Sequence, residues 1–92
     1  IVGTYKLLKR GYNLGKIADF QKAHESIIAL QIESIIEYLP NTDISNIINQ
    51  KDFTDIKIEY KKGVTDIKEL RAKFKGLSVS QLRIAVAKIK HN

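Results

Sequence analysis

Among the 92 residues, the side chains with most chemistry to offer are basic, and what they offer is neutralisation of phosphate. Sixteen Lys and Arg stand against ten Asp and Glu, for a net charge of +6. Residues 1–22 hold five basic groups and one acid, and residues 23–50 hold four acids and no Lys or Arg. Residues 51–92 hold eleven basic groups and five acids. The chain is therefore basic at both ends and acidic in the middle, which favours an acidic partner. The candidate contacts are Lys6, Lys9, Arg10, Lys16 and Lys22 in the first block. In the last block they are Arg71, Lys73, Lys75, Gln81, Arg83, Lys88 and Lys90. Lys and Arg meet phosphates, while Arg83 and Gln81 also carry the donor patterns that suit guanine and adenine edges.

Bond-making chemistry finds no support in the same residues. The absence of cysteine excludes disulfides, thiol catalysis and cysteine-rich zinc sites. His24 and His91 have no neighbours in the sequence that would complete a metal site. The run Gly11-Tyr12-Asn13-Leu14-Gly15-Lys16 is similar to a phosphate-binding loop, but three residues separate its glycines where four are needed. Ile17 also follows where Ser or Thr should stand. No serine sits in a Gly-x-Ser-x-Gly turn. We therefore expect a non-catalytic domain with no metal and no cofactor. No apolar run reaches the length that spans a bilayer, and the N-terminus lacks a signal peptide's apolar region. A cytoplasmic location fits the lack of cysteine. The chain starts at Ile1 and contains no methionine, so it is read as a piece of a longer protein.

A chain of this size, 43% apolar and 28% charged with one proline and five glycines, is expected to form one domain without a long linker. Val2, Tyr5, Leu8 and Tyr12 recur at helical spacing, with Gly11 placed to end that helix. Asn13 is placed to cap a second helix holding Leu14, Ile17 and Ala18. A long third helix is predicted from about His24 to Tyr38. It should bury Ile28, Ile32, Ile35 and Leu39, with Ile27, Leu30 and Ile36 widening that side, and Pro40 should stop it. A short helix is expected over Asp43–Gln50 with Ile44, Ile47 and Ile48 inward. Residues 52–62 fit a helix through Phe53, Ile56 and Tyr60, or a strand through Ile56, Ile58 and Tyr60. Helix is expected, because no other segment offers a strand a partner. Thr65 or Asp66 should then cap a helix with Ile67, Leu70 and Phe74 apolar. After a turn at Gly76–Leu77, Ser78 and Gln81 form a capping-box pattern. They open a helix with Val79, Leu82, Ala85, Val86 and Ile89 inward.

Two helix-turn-helix outlines follow, with boundaries at 1–40 and 65–92 and connecting helices over 41–64. Such a unit needs a small residue where its helices cross, a turn tolerant of positive φ, and apolar residues on the inner side of its second helix. The first unit supplies Ala18, Ala23 and Ile28 but places Lys22 where glycine is preferred, at a strain cost of about 1 kcal/mol. The second supplies Ala72, Gly76, Leu77, Leu82 and Ala85, and by local chemistry matches better. In the first unit, the reading position at the start of the second helix offers His24, Glu25, Ser26 and Ala29, with Glu33 and Glu37 beyond. Carboxylates there repel a phosphate backbone. In the second it offers Ser80, Gln81 and Arg83, then Lys88 and Lys90.

The order of these motifs resembles a known family. Thr4-Tyr5-Lys6-Leu7-Leu8-Lys9-Arg10-Gly11, Leu14-Gly15-Lys16-Ile17-Ala18 and Glu25-Ser26-Ile27-Ile28 are similar to the helix-turn-helix domain at the C-terminus of RecQ-like and related bacterial DNA helicases. Leu77 to Ala87 resembles that family's last helix. Gln21, Lys22 and Gln31 depart from it, standing where the family usually has arginine, glycine and histidine. The resemblance implies an accessory module in an ATP-binding helicase of DNA repair, whose motor domains in the same chain would do the unwinding.

The expectations are therefore an all-α bundle of six or seven short helices with two helix-turn-helix units, and largely sequence-independent, salt-sensitive binding to DNA. A docking module using the acidic third helix is the alternative from another class. A stand-alone transcription regulator is disfavoured by the acidic reading helix and the missing initiator. An apolar patch exposed beside Glu33 and Glu37 would favour docking, and a continuous positive stripe joining the two basic blocks would favour DNA.

Overall fold

Helix signals dominate the chain, and in the computed structural model, which describes residues 2–91, every regular element is helical. The elements are α1 (Val2–Lys9), α2 (Leu14–Gln21), α3 (Glu25–Tyr38), α4 (Gln50–Lys61), α5 (Ile67–Lys73) and α6 (Val79–His91). None of them is long and apolar enough to cross a membrane. A radius of gyration of 12.4 Å is what a folded chain of this length should have. The ambiguous stretch 52–62 lies in α4. It places Ile56 fully inside while Ile58 is exposed, an orientation only the helical period allows.

Two helices serve as hubs. α3 packs on α1 and α2, α6 packs on α4 and α5, and the two hubs pack on each other. The fully enclosed side chains follow that plan, with Ile17, Ile28, Ile32 and Ile36 in the first half and Ile56, Leu70, Leu82 and Ile84 in the second. Local chemistry explains most of the boundaries. The Asn13 side chain accepts from the Lys16 N–H at 2.9 Å, and the Asn49 side chain accepts from the Asp52 N–H at 2.8 Å. Both satisfy donors that a helix start leaves unpaired. Gly11, with φ +87°, follows the end of α1 as expected. Ser78 and Gln81 form the anticipated capping box: the Ser78 N–H donates to Gln81 Oε1 at 2.9 Å, and the Gln81 N–H to Ser78 Oγ at 3.1 Å.

Several expectations are corrected. Residues 43–49 are irregular backbone with a turn at 45–47, not a helix, although Ile44, Ile47 and Ile48 are buried as anticipated. Asp43 ties its carboxylate to the Ser45 N–H at 2.9 Å, an Asx turn that competes with helix formation. Lys88 Nζ donates to the Pro40 and Thr42 carbonyls, the latter at 2.8 Å. Those carbonyls are thus satisfied from α6, and helix begins again only after Asn49. In α1 the inward residues are Thr4 and Leu8, while Val2 is exposed. Thr4 is fully buried because its hydroxyl bonds to Gln31 Oε1 on α3. Leu39, just past α3, and Val79, at the start of α6, are exposed, and on α6 Ile84 and Ala87 join the buried set.

Candidate nucleic-acid interface

The first helix-turn-helix is the better formed of the two. Only Lys22-Ala23-His24 separate α2 from α3, and Lys22 adopts φ 53°, ψ 45°, the left-handed conformation its position predicted. Ala18 is buried at the helix contact. The Lys22 N–H donates to carbonyls of the last turn of α2, closing that end. The second unit departs from the pattern that favoured it. Five residues, 74–78, join α5 to α6. Gly76 is not among the residues with positive φ, and Ala72 is exposed rather than at a close crossing.

The cations divide along the same line. Lys6 and Lys9 on α1, Arg10 just beyond it, Lys16 on α2 and Lys22 in the turn are all exposed. Among the described residues none of the five lies within ion-pair distance of a carboxylate. Lys9 Nζ sits 5.5 Å from the centroid of the Tyr5 ring, a cation–π geometry that leaves its charge available.

The second unit commits four of its seven candidate residues, Lys73, Gln81, Arg83 and Lys88, to the fold. Arg83 Nε donates to Glu33 Oε2 on α3 at 3.1 Å. Lys73 pairs with Glu59 of α4 at 3.4 Å. Gln81 completes the capping box and donates through Nε2 to the Ile47 carbonyl at 2.9 Å, so neither end of its amide faces solvent uncommitted. Lys88 is held by the Pro40 and Thr42 carbonyls. Burial pushes its ammonium below the ordinary lysine value, and the charge of Asp43 opposes that. Asp43 is in turn held below the usual carboxylate range, first by the Ser45 backbone N–H, then by the Ser45 hydroxyl and the charge of Lys88, against a small effect of burial. Arg71, Lys75 and Lys90 are exposed without an ion pair among the described residues. The two basic sets belong to different halves of the molecule, with the α3–α6 packing between them.

The reading position of the first unit holds no Lys or Arg. Ala29, expected to face outward, is buried. The solvent-exposed residues of α3 are instead Glu25, Ser26, Ile27, Leu30, Glu37 and Tyr38, with Glu33 and Ser34 partly covered. Ile27 is 47% exposed and Leu30 50%, an apolar strip that periodicity alone assigned to the core. The distinguishing signal is the absence of any element opposite it: α3 receives α1, α2 and α6, which leaves one face unpartnered. No group of three His, Asp or Glu side chains close enough to hold a metal ion occurs among the described residues.

Comparison with known families agrees with this geometry. A family model described as "Helix-turn-helix domain" matches residues 2–86. The chain belongs to the helix-turn-helix domain family, whose fold suggests DNA as partner. No curated protein and no solved structure matches the chain.

Proposed function

We propose that this is a non-catalytic accessory domain that binds DNA mainly through its phosphate backbone, as part of a larger, cytoplasmic, RecQ-like helicase. The observation that carries the reading is the set of five exposed cations, Lys6, Lys9, Arg10, Lys16 and Lys22, on and between the helices of the first unit. A cation without a carboxylate partner releases counterions from DNA at full value. Sequence reading by α3 is disfavoured, because Glu37 and two half-exposed aliphatic side chains occupy the face that would enter a groove. The helicase parent rests on the motif resemblance at Thr4–Gly11, Leu14–Ala18, Glu25–Ile28 and Leu77–Ala87.

Titration of labelled duplex, single-stranded and forked DNA at several salt concentrations tests the reading. Affinity should fall steeply with salt. A variant with Lys9, Lys16 and Lys22 all changed to Gln should lower the slope of log K against log salt by roughly 2 to 3, about one per phosphate contact. No binding even at low salt would sink the proposal.

A second reading, docking of a protein partner on α3, is favoured by the exposed Ile27–Leu30 strip alongside Glu37. Loss of a partner on Leu30→Asp, with DNA binding kept, would select it.

A further inference from the structure

Aromatic side chains accompany the free cations of the first unit and are more exposed than folding requires. Phe20, on the outer face of α2, is 57% exposed. Its ring lies 5.1 Å from that of Tyr12, tilted by 56°; Tyr12 is half-buried and packs on the core, so it anchors the pair and Phe20 is the open side of the step. Lys16 stands one helical turn before Phe20 on the same face. Asp19 is the acid beside it in the sequence. On α1, Tyr5 lies under Lys9, and both line a groove of about 580 Å³ together with Tyr38, Asn46 and Asp43. Tyr38 is 84% exposed. The groove and the aromatic step are neighbours: Asn46 Nδ2 lies 3.3 Å from where a Cβ on Gly11 would sit, and Gly11 precedes Tyr12.

From this placement we infer that the α1–α2 edge binds single-stranded DNA, with Phe20 and Tyr12 as a base-stacking step and Lys9, Arg10 and Lys16 following the backbone. The inference rests on the DNA-binding reading above and specifies the form of DNA. Unpaired bases present flat apolar faces that a duplex hides, and aromatic rings beside a row of cations are how proteins hold them without reading sequence. The face of α3 that would have to enter a duplex groove carries no cation, whereas this edge needs no groove. The exposure of Phe20 makes its ring available to a base.

The test compares oligo(dT) with a duplex of equal phosphate number at one salt concentration, for the native sequence, Phe20→Ala and Phe20→Trp. Phe20 is exposed, so neither substitution should disturb the core, and unchanged thermal melting checks that. Oligo(dT) should bind more tightly than duplex, and Phe20→Ala should weaken oligo(dT) roughly tenfold, the scale of one base–aromatic stack, a larger factor than for duplex. The chain has no native tryptophan, so emission from Phe20→Trp reports on this site alone and should be quenched by oligo(dT). Equal affinity for both forms with no differential effect of Phe20→Ala would overturn the stacking step while leaving backbone binding standing. Failure of both forms to bind at low salt would remove the underlying reading and this one with it. Tighter binding of oligo(U) than of oligo(dT) would overturn the assignment to DNA.

Discussion

The two helix-turn-helix units use the same local pattern to opposite ends. In the first, α3 meets its neighbours on one side, leaves the other to solvent, and is joined to helices whose five cations have no ion pair among the described residues. In the second, α6 is packed against α3, α4 and α5, and its polar residues hold the molecule together. The unit with the more DNA-like composition is thus the more structural one. What separates them is where the polar side chains of the second helix end: those of α6 reach Glu33 and the carbonyls of Ile47, Pro40 and Thr42, a tertiary property that no local pattern encodes.

Burial gives the largest test of this contrast. Leu82→Ala, at a fully enclosed position of α6, should cost about 3 kcal/mol. Leu30→Ala, on the open side of α3, should stay within about 0.5 kcal/mol. Urea unfolding of the two variants measures both, and similar costs would mean that the outer face of α3 is covered. Next in size is Gln81→Ala. It leaves the Ile47 carbonyl without its side-chain donor and removes half of a capping box, at about 2 kcal/mol. A loss below about 0.5 kcal/mol would show that the amide is free after all.

The turns provide a smaller contrast. Lys22→Gly should stabilise by about 1 kcal/mol, because the left-handed conformation penalises a Cβ. Gly76→Ala should not destabilise, since its φ is not positive and nothing lies within 4 Å of an added Cβ. Thermal melting of both variants checks the pair. The smallest effect is acid sensitivity in the tether between the halves. Asp43 has a folded-state pKa below its unfolded value, so its contribution is present above about pH 4 and is lost as pH falls through the folded value. Asp43→Asn should flatten the acid limb of the stability profile slightly, and an unchanged limb would show that the group is not tied.

Much of the fold was legible because it rests on local chemistry. Asn13, Gly11 and the Ser78–Gln81 capping box act within four residues of themselves and do what their types and spacing predict, while Lys22 takes the left-handed conformation that its place in the turn, against its residue type, requires. Residues 43–49 were misread for a related reason. Ile44, Ile47 and Ile48 have helical spacing and are buried, but Asp43 and Ser45 close an Asx turn, and the carbonyls nearby are taken by Lys88. A bond spanning 46 residues leaves no trace in a window of eleven. At the candidate site, the free cations of the first unit were legible as residues, but their freedom was not. That Arg83, Lys73 and Gln81 are engaged depends on Glu33, Glu59 and the Ile47 carbonyl, which lie far from them in sequence. The contact between the Tyr12 and Phe20 rings is not legible in the sequence, since it joins the approach to α2 with the far end of that helix, while Tyr12 also packs on the core as its place in the apolar stripe predicts.

The hold of Lys88 on the Pro40 and Thr42 carbonyls has a consequence for the order in which the molecule assembles. The groove under Tyr38 has one wall made of residues 39–43, and that wall has no helix of its own to stiffen it. The Pro40 and Thr42 carbonyls find their side-chain donor only when α6 docks, so the wall takes shape as a late event and is released early when α6 loosens. Slowed amide exchange at residues 41–48 should therefore track α6 rather than the neighbouring α3. A surface built from the first half of the chain is in this way kept in register by the second.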